Sequence, residues 1–155
     1  MKNVKFLLSA ALVFLASAAL AQDFSAPQYA KWGATPEERE QNILNSNFLK
    51  ESCDNRDYDA AAHYLKGLID KIPDAAESIY QRGAVVYKNK INRAKSVAEK
   101  NMFIDSLMLM YDMRAQYFGD NVKPGKTAFI LDQKAREFLR YKPNDRKGIR
   151  EAFRA

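Results

Sequence analysis

Three observations predict an all-α protein. Apolar residues recur at helical spacing along most of the chain, most regularly at Tyr58, Ala61, Ala62, Leu65, Leu68, Ile69 and Ile72. Start and stop signals punctuate these stretches, with Thr35-Pro36 opening one and Pro73, Gly119 and Pro143 closing others. No segment between turn signals alternates apolar and polar residues with period two, so no sheet is expected. About six helices joined by short turns account for the pattern.

The amino-terminal residues stand apart. Met1 to Lys5 is a short basic stretch, Phe6 to Leu20 is apolar without a charge, and Ala19-Leu20-Ala21 has small residues at both positions of a cleavage site. That layout is a secretory signal peptide over residues 1–21, cut after Ala21. The apolar run is short for a bilayer span, and no second such run follows. The mature chain, Gln22 to Ala155, is therefore expected outside the cytoplasm.

Residues 22–34 read as an extended arm carrying Phe24, Tyr29 and Trp32, with Trp32 pinned on the first helices. At residue 35 the helical domain begins. Thr35 caps, Pro36 takes the first helical position and Glu38 completes a capping box, giving a helix to about Asp54 with Ile43, Leu44, Phe48 and Leu49 inward. After the Asn55-Arg56-Asp57 turn comes the second helix, ended by Pro73. Asp74, with Glu77 three residues on, is read as the cap of a third helix holding Ile79, Val85, Val86 and Tyr87. A long fourth helix, near Asn92 to Phe118, has an apolar arc wide enough to meet two neighbours, and Gly119 stops it. The fifth, about Thr127 to Tyr141, buries Ala128, Leu131, Ala135, Phe138 and Leu139, and a sixth begins near Arg146. That last helix either docks back on the fifth or opens a longer array.

Composition narrows the function. The formal charge of +6 is spread along the chain with no Lys/Arg run longer than two, as on solvated helix faces, and export argues against a nucleic-acid partner. Cys53 is the only cysteine and His63 the only histidine, which leaves no intramolecular disulfide and no His-based metal site or catalytic triad. Asp54, Asp57 and Asp59 cluster at a turn but lack the loop glycine and terminal glutamate of the twelve-residue calcium loop. Capping accounts for them. Neither an enzyme, a metal site nor a cofactor is expected. Met102, Met108, Met110 and Met113 fill the core or line a pliable groove.

One segment carries a resemblance. Ala61, Leu65, Leu68 and Pro73 stand where the second helix of a tetratricopeptide repeat keeps a small residue, two large apolar ones and a closing proline. Gly83 falls where the next repeat keeps its first-helix glycine, and Pro143 lies about two 34-residue repeats beyond Pro73. From Pro36 to Ala155 the chain resembles exported tetratricopeptide-repeat proteins of Gram-negative bacteria. The pattern departs where Asn45 and Ile79 replace a large aromatic and Arg82 replaces a leucine. The resemblance implies a right-handed superhelix of antiparallel helix pairs. It also implies a periplasmic or outer-membrane-associated role as a scaffold that binds another protein. In that family the ligand groove follows the first helix of each pair, which implies Lys50, Glu77, Tyr80, Tyr87 and Lys88 as groove residues here. Packing of both tyrosines against the next helix is the competing reading. The alternative function is a small periplasmic helical bundle that binds a lipid, peptide or glycan between its helices.

Overall fold

The computed structural model describes residues 22–153, so the signal-peptide reading of residues 1–21 lies outside the described residues. It is all-helical, with no strand among them. A 3₁₀ helix at Pro27–Trp32 precedes α1 (Pro36–Asp54), α2 (Tyr58–Lys71), α3 (Glu77–Arg93), α4 (Val97–Phe118), α5 (Lys126–Tyr141) and α6 (Arg146–Ala152). None of these helices is long and apolar enough to cross a membrane.

The segment expected as an extended arm is the short 3₁₀ helix, started by Pro27. Two side chains fasten it to α1. Arg39 donates to the carbonyls of Gly33 and Phe24, at 2.9 and 3.1 Å, and Asn42 donates to that of Trp32 at 2.8 Å. Trp32 rests half-buried on the core, as expected.

The α1 capping box forms as read: Glu38 N–H donates to Thr35 Oγ1, while the Glu38 carboxylate accepts from the Ala34 and Thr35 amides. The inward face of α1 differs. Asn42, Ser46 and Leu49 are buried and Leu44 is exposed. Leu49 is inward as expected, Ile43 and Phe48 are half-buried, with Phe48 against Tyr64 of α2, and Asn42 is buried where it bonds to the 3₁₀ segment.

In α2 the expected face is the observed one, with Tyr58, Ala61, Leu65, Leu68 and Ile72 buried. α3 begins at Glu77 behind Ala76, with no side-chain cap, so Asp74 does not play the role expected of it. α4 begins at Val97 rather than near Asn92. Ser96 caps α4 by accepting from Glu99 N–H, and Glu99 accepts from Lys95 N–H one residue before the cap. In α5, Ala128 and Leu139 are exposed, and Ile130 and Lys134 take their places inside.

Two apolar clusters form the core. One joins α1, α2, α3 and the end of α4 around Leu49, Leu65, Leu68, Ile79, Tyr80, Val86 and Met110. The other joins α3 to α6 around Ile91, Ile104, Leu107, Met108, Ile130 and Phe138. Met108 and Met110 are buried, one in each, and Met108 also borders the surface between α4, α5 and α6. Gly83 sits at the crossing of α2, α3 and α4. A Cβ there would lie 2.6 Å from Met110 Sδ and 3.1 Å from Leu65 Cδ2, so the missing side chain is what lets the helices approach.

Candidate functional site

The sequence-derived groove residues separate into four environments. Tyr80 is in the core, only 1% exposed. Its ring stacks on Tyr117 at 6.3 Å and tilts against Phe118 at 5.9 Å, and its hydroxyl donates to the Pro73 carbonyl at 2.7 Å. A buried tyrosine with its polar tip satisfied is a structural anchor. Burial pushes its hydroxyl far above the ordinary range, with the neighbouring Tyr117 and Asp74 adding to the effect. Tyr87 is half-buried and packs on both clusters. Lys50 is exposed and bonded to Asp54 on its own helix. Glu77 and Lys88 share the flank of α3 that faces α5, three turns apart.

That flank is a charged seam. Lys126 donates to Glu77 at 2.6 Å and Lys88 donates to Glu137 at 3.1 Å, and in both pairs the partners are 49 residues apart. A constant offset at the two ends means that α3 and α5 run parallel, bridged by long side chains. Arg114 reaches into the seam from α4, buried, donating through Nε to Glu77 and through Nη1 to Gln133, both at 2.9 Å. Burial works to raise the Glu77 carboxyl, but Lys126 and Arg114 outweigh it and hold the group below the usual carboxylate value. Beneath, Tyr111 is pushed up to about 12 by burial and by the charge of Glu137. Oε2 of Glu137 is buried with no hydrogen-bond partner among the described residues.

This geometry fixes the outer face. α3 turns Glu77 and Lys88 to α5 and turns Gly83 and Val86 to the core, which leaves Gln81, Val85 and Asn92 exposed. On α5, Lys134, Ala135 and Phe138 face inward, leaving Phe129, Arg136 and Arg140 exposed. Two parallel helices packed on the same α4 expose the same side, so these residues share one surface. The expected groove positions on α3 are out of phase with it by one residue, a rotation of about 100°. Arg114 and Lys134, the buried cations, were missed by sequence reasoning. A signal existed for Arg114, which lies within the apolar arc of α4 between Tyr111 and Phe118.

Cys53 is half-buried, and burial pushes its thiol up, away from the reactive thiolate, against a smaller opposing effect of Arg82. His63 is exposed, edge-on to Tyr64 at 5.5 Å. Asp57, from the acidic turn, accepts from Ala60 N–H as the cap of α2. Among the described residues no three His, Cys, Asp or Glu side chains are grouped to hold a metal ion. Comparison with family models, with curated proteins and with solved structures finds no match for this chain.

Proposed function

We infer that this chain is an exported helical-repeat scaffold of the tetratricopeptide type, which binds another protein on the outer face of the α1–α3–α5 row. The observation that carries the reading is the parallel register of α3 and α5, since stacked repeats place their first helices side by side in this way. The close crossing at Gly83 and the contact of α1 with α3 support it further. An offset of 49 residues, against about 34 in a standard repeat, is accommodated by the 22-residue α4 and the turns around it. Binding falls to the outer face because it exposes the apolar Val85 and Phe129 among the polar Gln81, Arg136 and Arg140. Export to the periplasm rests on the signal-peptide layout of residues 1–21.

The test is crosslinking in cells, followed by pull-down of mature Gln22–Ala155 from an envelope fraction beside a Val85→Glu/Arg136→Glu variant. A protein held by the wild type and lost by the variant is the expected result. Retention by the variant removes the outer face from the proposal. A co-purifying small molecule with no protein partner favours the carrier reading. Amino-terminal sequencing of the native protein should begin at Gln22, and a retained Met1 rejects export by cleavage.

A further inference from the structure

A second surface, away from the outer face and independent of the repeat reading, lies between α4, α5 and α6. It is an open cleft of about 500 Å³. Its apolar floor is Met108, Leu109, Phe138 and Ala152, of which Leu109 is exposed. Asp105, Asp112, Asp145 and Glu151 rim it, with Lys134 and Lys142 between them. The lysines are recessed and the carboxylates project. Lys134 is 10% exposed and bonded to Asp112, while Lys142 is 27% exposed and lies 4.0 Å from Asp105. By contrast, Asp105 is 74% exposed and Glu151 57%, with a loose 3.8 Å contact to Lys147. A chain of net charge +6 thus opens a negatively charged, apolar-floored cleft. The tight packing of α6 on α5 shapes it, for a Cβ on Gly148 would collide with the Phe138 ring.

We propose that this cleft binds a basic amphipathic helical segment of a partner protein. Asp105 and Asp112 are seven residues apart on α4, two turns or about 10 Å, with Leu109 between them. A helix with Lys or Arg at i and i+7 and leucines on the same face meets both carboxylates while covering Leu109. Anionic or acidic ligands meet repulsion from the rim, so charge sets the choice of partner.

The probe is a labelled 15-residue helical peptide with leucines on one face and lysines flanking them, beside the same peptide with glutamates for lysines. Titrations by fluorescence anisotropy use the mature protein at low and physiological salt. The basic peptide should bind at least tenfold more tightly than the acidic one and weaken as salt rises. Asp105→Lys/Glu151→Lys, both exposed and off the core, should weaken it at least tenfold, and Leu109→Ser several-fold. Val85→Glu/Arg136→Glu, on the other face, should leave binding unchanged. Equal binding of the two peptides, or an affinity unmoved at the cleft, overturns the proposal. So does a dimer that Asp105→Lys/Glu151→Lys dissolves, which would assign the cleft to a second copy of this chain.

Discussion

α3 meets its neighbours through two interfaces of opposite chemistry. Towards α2 and α4 the contact is mainly apolar and close, built on Gly83, Val86, Leu65, Met110 and the buried ring of Tyr80, with ion pairs only at its edges, Lys90 to Asp59 of α2 and Glu77 to Arg114 of α4. Towards α5 it is ionic, with Glu77 between Lys126 and Arg114 at one end and Lys88 against Glu137 at the other. The apolar contact draws on area removed from water and tolerates many arrangements of similar volume. The ionic one offsets desolvation with Coulomb attraction and contributes less net stability, but its pairs are satisfied in only one register. The first interface holds the helices together and the second sets how far one slides along the other.

Substitutions can break this division of labour. Leu65→Ala opens a cavity at the triple crossing and should cost about 3 kcal/mol, the largest effect expected here, read as a lower urea midpoint with unchanged slope. Arg114→Met strands Gln133 and leaves Glu77 with Lys126 alone, at a cost of about 2 kcal/mol. The double variant Arg114→Met/Glu77→Gln should lose less than the two single losses added together, and strict additivity would mean that the seam is not a coupled unit. Tyr80→Phe loses the bond to Pro73 while keeping the ring, about 1 kcal/mol, with no change in protein binding on the outer face. Lys50→Ala, at an exposed pair, should move the midpoint by less than about 0.5 kcal/mol.

Acid sharpens the same comparison. Glu77 has its folded pKa below its unfolded one, so its contribution is complete above the unfolded value of about 4.3 and is lost as pH falls through the folded value. Wild type should therefore lose urea resistance more steeply than Glu77→Gln as pH falls below about 4.3, and the two should converge once Glu77 is protonated in the folded state. Parallel curves across that range would show that the seam carries no linked proton.

Legibility in the sequence followed the kind of signal. α2 was fully readable because one apolar stripe and one closing proline agree on its boundaries and its inner face. α1 was readable in extent but only partly in facing: Leu49 is buried as expected, Leu44 is exposed, and Asn42 is buried by a 3₁₀ segment that no local pattern announces. The break between α3 and α4 was written in the sequence as Ser96-x-x-Glu99 and was overlooked beside the more conspicuous apolar arc that follows. Of the residues expected at the candidate site, Glu77 and Lys88 share one flank of α3, whereas Tyr80 is buried in the core. Tyr80 is covered by Tyr117 and Phe118 from the end of α4, a contact that no local pattern in α3 announces.

By itself the sequence determined the helical class, the caps, the turns and the dominant apolar face of α2, because these rest on interactions within a few residues of one another. Tertiary structure alone decided the 49-residue register, the pairing of Glu77 with both Lys126 and Arg114, and the opposite characters of the outer face and the α4–α6 cleft. Those depend on which charges meet across helices far apart in the chain. A charge shows its sign in the sequence, but its partner and its depth are fixed only once the helices have packed.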